Sequence, residues 1–151
     1  MKKFLSVLLS ALLAVSLTAC KQESSPTPFS PDSDAQTLLD SGAFTEALTQ
    51  IDTEVACARY GIDPATVTAG AVYGSTGATA EELAIFTFDT ADHAEDAKKA
   101  VGYWLEDQTE AMSTYLPLEV PKLEKGVLEV RDASLLLVVA NDYAPVDEFL
   151  K

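Results

Sequence analysis

The side chains that most often carry catalysis, histidine and cysteine, are scarce in this chain. His93 is the only histidine, and the two cysteines are Cys20 and Cys57. A zinc site needs three or four nitrogen, sulfur or carboxylate ligands, so one histidine with one lone thiol leaves it short of ligands. A Ser-His-Asp triad needs a serine beside His93, and neither that arrangement nor a Gly-x-Ser-x-Gly motif is found in the sequence. We therefore expect no catalytic residue, no cofactor and no metal of these kinds.

The positions of His93 and Cys57 point to ordinary structural roles. His93 falls in the first turn of a predicted helix, among acidic residues, where a solvent-exposed side chain is expected. Cys57 lies between Ala56 and Ala58 in a helical stretch, which is typical of a small core residue and not of a nucleophile. Cys20 is expected to carry a lipid, so no intrachain disulfide is predicted.

Carboxylates are abundant, with 24 acidic residues against 10 basic ones. An EF-hand starting at Asp32 fails, because the sixth position is Thr37 instead of glycine and the twelfth is Ala43 instead of glutamate. Scattered acids could still gather into a cation site. Two acids could also act on a sugar substrate, because a glycosidase pair is defined by its separation in space.

Three glycines, Gly70, Gly74 and Gly77, invite comparison with a phosphate-binding loop. Their spacing does not match a Walker motif, no lysine follows them, and Gly-x-Gly-x-x-Gly does not occur. We interpret them as turn glycines, and no nucleotide site is expected.

The first residues have the three parts of an export signal. Lys2 and Lys3 precede an apolar run from Phe4 to Leu17, and small residues lead up to Cys20. The run is shorter than the roughly 20 apolar residues that a membrane span requires. Leu17-Thr18-Ala19-Cys20 resembles the lipobox of bacterial lipoproteins, in which the cysteine is acylated and becomes the first mature residue. We therefore expect residues 1–19 to be a signal peptide, and Cys20 to be the lipid attachment site at the extracytoplasmic face of the cell membrane.

Composition divides the remaining chain into a tether and a domain. Residues 20–33 comprise the lipidated cysteine and a stretch rich in proline and serine, which favours a flexible tether. Residues 34–151 are expected to form one domain. Removal of Lys2 and Lys3 leaves 8 basic residues against 24 acidic ones, a net charge of −16. Such a surface repels phosphate backbones, which excludes nucleic acid as a partner.

The hydrophobic pattern predicts an α+β domain. Asp34 is expected to cap a first helix that ends at Gly42, and Thr53 a second helix that ends at Gly61. A hairpin is expected from Val67–Tyr73 and Leu83–Phe88, with a single helical turn at Thr79–Glu82 as the alternative. A long helix is expected from Thr90 to Tyr115. Its stripe at spacings of three and four is apolar with one polar break: Ala94, Ala97, Val101, Trp104, Leu105, Gln108, Met112 and Tyr115.

Leu116-Pro117 should end the long helix, and Val120-Pro121 should keep the connection that follows it extended. A second hairpin is expected from Val127–Arg131 and Leu135–Ala140, the latter as a central strand. A short helix with Pro145 in its first turn should close the domain. These elements predict an antiparallel sheet of about four strands, with the long helix packed on a face and short helices flanking it.

Several runs of residues resemble the bacterial lipoprotein family known as domain of unknown function four-three-five-eight. They are Leu38-Leu39-Asp40-Ser41-Gly42-Ala43-Phe44, Tyr60-Gly61-Ile62, Ser75-Thr76-Gly77-Ala78-Thr79-Ala80-Glu81-Glu82-Leu83-Ala84-Ile85-Phe86, and Glu106-Asp107-Gln108 followed by Tyr115 and Val120-Pro121-Lys122-Leu123-Glu124. The resemblance implies a similar length, lipobox and tether. It implies no activity, cofactor or catalytic residue.

The sequence thus favours a non-catalytic module of the cell envelope over an enzyme. The module is expected to be held at the membrane by the lipid on Cys20 and to bind a solute or an envelope protein partner. The alternative is a carboxylate-dependent enzyme acting on a cell-wall or sugar substrate. A cleft with two convergent acids would favour the enzyme.

Overall fold

The computed structural model describes residues 26–151. The predicted signal peptide and Cys20 lie outside these residues. Five helices, five strands and one 3-10 helix follow one another along the described part: α1 Pro31–Leu39, β1 Thr49–Ile51, α2 Thr53–Tyr60, the 3-10 helix Pro64–Thr66, β2 Val67–Gly74, β3 Glu82–Phe88, α3 Ala91–Tyr115, α4 Val120–Glu124, β4 Val127–Arg131, β5 Ser134–Val139 and α5 Ala144–Phe149.

The strands form one antiparallel sheet in the order β1-β2-β3-β5-β4. The predicted α+β class is confirmed, with five strands where about four were expected. The additional strand is β1, which has only three residues and no fully buried side chain. So short and exposed a segment lacks the alternating pattern by which strands are recognised in a sequence.

The predicted hairpin between β2 and β3 is confirmed, and no helical turn forms at Thr79–Glu82. Of the three glycines expected in turns, only Gly77 lies in the connection, where it has a φ of +105°. Gly70 and Gly74 lie within β2 instead. A Cβ at Gly70 would come within 2.8 Å of the Thr53 side chain, and one at Gly74 within 2.9 Å of Ile51 Cδ1. Close packing against Thr53, not turn geometry, therefore accounts for Gly70, whereas at Gly74 the nearest atom is the end of the Ile51 side chain, which can move aside.

The long helix α3 is confirmed, and it begins where the sequence predicts. The hydroxyl of Thr90 accepts a hydrogen bond from the backbone N–H of His93 and caps the first turn. Ala94, Ala97 and Val101 are buried, so the small side chains of the first half let the helix lie close to the sheet. Toward its C-terminal end the helix becomes more exposed, and Tyr115, expected on the apolar stripe, is 60% exposed.

The sheet separates two hydrophobic clusters. Strand residues alternate between its faces, so Ala84 and Phe86 of β3 join the cluster beneath α2 and α3, while Leu83 and Ile85 join the one beneath α1 and α5. All six residues of β5 are buried, which confirms the predicted central strand. Both clusters are built from residues within the described range, so this part of the chain carries its own core.

The N-terminal boundary differs from the prediction. α1 begins at Pro31, and Asp34, the expected cap, lies inside the helix, where its carboxylate accepts a hydrogen bond from Ser30 N–H. Phe29 is 3% exposed and its N–H donates to Ser134 Oγ at 2.8 Å. Residues 29–33, assigned to the tether from their composition, therefore pack on the domain. A single aromatic residue among polar and proline residues forms no pattern from which this packing could be predicted.

Two local predictions are wrong. The connection after α3 is not extended, because Val120–Glu124 forms α4 with Pro121 in its first turn, where proline needs no hydrogen-bond donor. The cap of α2 is Asp52 and not Thr53, since the Asp52 carboxylate accepts from the N–H groups of Glu54 and Val55. Gly61 ends that helix in the left-handed conformation, as expected.

Candidate functional site

The connection between β2 and β3 is organised by the hydroxyl of Ser75. This hydroxyl donates to a carboxylate oxygen of Glu46 and accepts the backbone N–H groups of Gly77 and Thr79, at 3.2 and 3.1 Å. The Thr79 hydroxyl donates to the same Glu46 oxygen at 2.8 Å. These bonds fix the path by which the chain enters β3, and hence the positions of Glu81 and Glu82.

Glu81 is fully buried, and its carboxylate is enclosed by donors. It accepts hydrogen bonds from the Thr45 N–H at 2.9 Å, the Thr45 hydroxyl at 2.5 Å and Lys122 Nζ at 2.9 Å. Burial by itself would raise the pKa of Glu81, but the bonds from Thr45 and Lys122 outweigh it and hold the pKa below its usual value. Glu81 is therefore a charged structural group that joins the segment before β1 to α4.

Lys122 completes this buried ion pair and extends it to Glu119. Its ammonium lies 2.9 Å from Glu81 Oε1 and 3.0 Å from Glu119 Oε2, and the latter oxygen also accepts the Ala80 N–H. Burial lowers the pKa of Lys122, yet the bonds to both carboxylates more than compensate, so that its pKa lies above its usual value. The cluster holds α4 against the start of β3.

Glu82 has a different set of partners. Its Oε1 accepts hydrogen bonds from the Tyr60 hydroxyl and from Arg59 Nη1, the latter at 3.1 Å. The Glu82 side chain is only 9% exposed. Burial is the main reason why the pKa of Glu82 lies above its usual value, although Tyr60 and Arg59 act against it. The pKa of Tyr60 is raised well above its usual value by burial and by the adjacent Glu82 charge.

The second carboxylate oxygen of Glu82 has no such partners. No hydrogen bond to Oε2 is made by any residue from 26 to 151. Within the same residues no fully buried side-chain oxygen is left without a partner. Oε2 is therefore accessible, and Glu82 borders a groove.

This groove has a volume of about 290 Å³ and lies between the β2–β3 connection and the C-terminal half of α3. Its lining combines charged, hydroxyl, amide and aromatic groups: Arg59, Ser75, Gly77, Thr79, Ala80, Glu81, Glu82, Trp104, Gln108, Met112, Tyr115 and Leu123. We refer to it below as the α3 groove. Small-molecule sites have this character, with apolar walls and a few placed polar groups, although this one lies at the lower limit of the usual 300–1,000 Å³.

Four residues of α3 line the α3 groove: Trp104, Gln108, Met112 and Tyr115. Trp104 packs edge-on against Tyr60, with ring centroids 4.9 Å apart, so it is partly buried against the core and also borders the groove. Gln108 is the polar break in the apolar stripe of α3. Its side chain is half-buried and makes no hydrogen bond with any residue in the described part of the chain. The amide is thus available to a molecule in the groove.

The residues singled out for their chemistry in the sequence do not meet here. Cys57 is fully buried, and burial, followed by the nearby charge of Glu54, raises its thiol pKa. His93 lies at the surface and is hydrogen-bonded to Asp89, which raises the imidazole pKa. Neither residue lines the α3 groove. Asp32 and Asp34 lie in helix α1, so they do not have the loop conformation of a calcium site.

The scattered acids do not assemble a cation site within residues 26–151. No group of three or more histidine, cysteine, aspartate or glutamate side chains is placed there to hold a metal ion.

Sequence reasoning missed Arg59 and Glu82. One lies in a helix and the other in a strand far away in the chain, and no sequence pattern relates two such residues. Gln108 did carry a recognisable pattern, since a polar residue interrupted an otherwise apolar stripe.

Comparison with known proteins decides the family. A family model described as Domain of unknown function (DUF4358) matches residues 40–140. The chain belongs to this family. The DUF4358 match runs from the end of α1 to the end of β5 and therefore includes every residue that lines the α3 groove. No curated protein and no solved structure matches the chain.

The helices among residues 26–151 were also compared with the requirements of a membrane span. None of them is both long enough and apolar enough to cross a membrane.

Proposed function

We propose that this DUF4358 protein is a lipid-anchored binding module on the extracytoplasmic face of the cell membrane, and that the α3 groove is its ligand site. One observation carries the second part of the proposal. Two polar groups in the groove, Glu82 Oε2 and the Gln108 amide, have no hydrogen-bond partner among the described residues. Buried or half-buried polar groups without protein partners are suited to binding a ligand, because a ligand would complete their hydrogen bonds.

The arrangement of the acids supports binding in preference to hydrolysis. A glycosidase needs two carboxyl groups on either side of the bond that is cleaved. In this groove Glu82 is one acid, but the Glu81 carboxylate is fully buried and occupied by Thr45 and Lys122. The carboxylate enzyme therefore has no specific support. An envelope protein partner stays a prediction, whereas the groove suits a small ligand.

The anchoring part of the proposal rests on the sequence from Met1 to Cys20. Because Phe29 is buried in the domain, it limits how far the domain can lie from the proposed lipid. Nine residues from Cys20 to Pro28 separate the proposed lipid from Phe29, and they can span at most about 30 Å. The domain would therefore stay close to the membrane.

Fractionation of cells tests the anchor. Full-length protein should appear with the membranes and be digested by protease added to intact cells. Cys20→Ala should abolish acylation and either release the protein or leave the precursor uncleaved. Cys57→Ala, the matched control for loss of a thiol, should leave processing and membrane association unchanged. Unchanged acylation and retention in the Cys20 variant would refute the anchor.

Thermal unfolding tests the ligand site. A ligand that binds only the folded state raises the unfolding midpoint, so the small-molecule fraction of a cell-envelope extract should raise the midpoint of the domain. Gln108→Leu should reduce this shift, while Gln36→Leu, an exposed position on α1, should preserve it. A shift of equal size in both variants would mean that the ligand binds elsewhere.

A further inference from the structure

The floor of the α3 groove is an ion pair with unused hydrogen-bonding capacity on both partners. Glu82 lines the groove, and its Oε2 is accessible and accepts no hydrogen bond from residues 26–151. Arg59 uses Nη1 to bind Glu82, and its side chain is 39% exposed. A guanidinium has five N–H donors, and Arg59 donates to Glu82 from Nη1 alone. An acceptor and several donors therefore lie side by side at the base of the groove.

The charges of this pair restrict the ligand. A cationic ligand that approached Glu82 would meet the Arg59 guanidinium beside it, and an anionic ligand that approached Arg59 would meet the Glu82 carboxylate. Anions are also repelled by the net charge of the chain, which is −14. A neutral group that both donates and accepts hydrogen bonds fits the pair better. A hydroxyl is such a group, and two neighbouring hydroxyls could reach Oε2 and the guanidinium together.

The wall of the groove adds two features. Gln108 offers one amide oxygen and one amide nitrogen, and neither is bound to a protein group within residues 26–151. Trp104 and Tyr115 bring aromatic rings to the same wall. The hydroxyls of Ser75 and Thr79, by contrast, are already used to hold the β2–β3 connection. The free groups are thus an acid, a guanidinium and an amide next to aromatic carbon.

We infer that the α3 groove binds a neutral saccharide, with Glu82, Arg59 and Gln108 bound to its hydroxyls and Trp104 and Tyr115 packed against its C–H groups. A sugar ring is the neutral ligand that combines a rim of hydroxyls with an apolar face. The volume of about 290 Å³ suits one or two rings. This inference rests on the proposed function, because it names the ligand class of the same site.

Calorimetric titration of residues 26–151 tests the inference with three defined neutral trisaccharides: maltotriose, cellotriose and tri-N-acetylchitotriose. Trilysine and inorganic phosphate serve as a cationic and an anionic probe. We expect saturable binding of at least one trisaccharide and none of either charged probe. Glu82→Gln and Gln108→Leu should each weaken the affinity for the trisaccharide by about tenfold or more, because each removes a hydrogen bond to a charged or buried group.

Matched controls separate loss of binding from loss of fold. Glu95→Gln removes an exposed carboxylate from α3 outside the groove, and Gln36→Leu removes an exposed amide from α1. Both should keep wild-type affinity. Gln108→Leu extends the apolar stripe of α3, so its unfolding midpoint should be no lower than that of wild type. Its loss of affinity would then come from the change in the groove and not from unfolding.

The failures of the two proposals are distinguishable. Absence of binding by all three trisaccharides overturns the saccharide inference, as does binding that Glu82→Gln and Gln108→Leu leave unchanged. If trilysine or phosphate binds instead and the same variants weaken it, the groove is a ligand site of another class, and the proposed function stands. If neither these probes nor the envelope extract affects the protein, both proposals fall.

Discussion

The carboxylates of Glu81 and Glu82, neighbours at the start of β3, are held by entirely separate partners. Glu81 binds Thr45 and Lys122, whereas Glu82 binds Tyr60 and Arg59. Successive residues of an extended chain point in opposite directions, and the two acids consequently meet different surroundings. Donors surround the carboxylate of Glu81, whereas burial has the larger effect on Glu82, whose Oε2 accepts no hydrogen bond from residues 26–151. Their pKa values are shifted in opposite directions.

This difference predicts opposite effects of the same substitution at pH 7. Glu81→Gln should lower the free energy of unfolding by about 1 to 3 kcal/mol, because it weakens a buried ion pair and leaves a donor facing the hydrogen bonds of Thr45. Glu82→Gln removes a buried charge and should be as stable as wild type or more stable. Urea unfolding measures both. Equal destabilisation by the two substitutions would contradict the separate roles.

The pH dependence of stability should distinguish the same two groups. The pKa of folded Glu81 is lowered, so its contribution is present above the unfolded value of about 4.3 and is lost as pH falls through the folded pKa. The deficit of Glu81→Gln should therefore shrink in acid. The pKa of folded Glu82 is raised, so its contribution is full below about 4.3 and is lost as pH rises through the folded pKa.

Relative to Glu82→Gln, wild type should thus lose stability as pH rises from about 4.3. Unfolding midpoints measured from acid to neutral pH should give difference curves of opposite slope for the two variants. Parallel difference curves would show that the two carboxyl groups do not have opposite shifts.

Most of the fold could be predicted from hydrophobic periodicity, because long elements carry many repeats of their pattern. The pattern predicts α3 almost to its exact bounds, and the unbroken apolar run predicts β5 as a central strand. β1 and α4 were missed because elements of three and five residues carry too few repeats. The early start of the domain was missed because a single side chain, Phe29, determines it.

The candidate site was less accessible to sequence reasoning. Its floor joins Arg59 of α2 to Glu82 of β3, and this contact depends on how α2 packs on the sheet. A sequence pattern describes neighbours along one element and not such pairs. The run from Ser75 to Glu82 is part of the family resemblance, and its residues build the connection that borders the groove.

Trp104 and Tyr103 are adjacent on α3 and should respond differently to truncation. Trp104 packs against Tyr60 and the core, whereas Tyr103 is 69% exposed. Trp104→Ala should lower the free energy of unfolding by about 3 kcal/mol. Tyr103→Ala should stay within about 0.5 kcal/mol of wild type. Similar unfolding midpoints for the two variants in thermal denaturation would mean that α3 packs on the sheet by another face.

Two glycines provide a matched pair for backbone effects. A Cβ at Gly102 in α3 would meet only Leu128 Cδ2, at 3.9 Å, so Gly102→Ala should stabilise the helix by about 0.5 to 1 kcal/mol. A Cβ at Gly126 would lie 2.9 Å from the carbonyl oxygen of Leu123, which is backbone and must shift. Gly126→Ala should destabilise by about 1 to 3 kcal/mol. Urea titrations that rank the two variants in the reverse order would contradict this packing.

The folded domain begins at Phe29, upstream of α1. Phe29 stacks on Phe149 with ring centroids 6.3 Å apart, and the Arg131 guanidinium lies 4.4 Å from the Phe29 ring centroid. A chain of residues 34–151 lacks this anchor and the first turn of α1. It should be less stable than residues 26–151 by at least the 3 to 5 kcal/mol typical of a buried aromatic truncation, about the cost expected of Phe29→Ala alone. Thr27→Ala, at an exposed position two residues earlier, should have no effect. Denaturant unfolding of the two chain lengths and the two variants tests this order. Equal stability of the two chain lengths would mean that residues 29–33 belong to the tether and not to the domain.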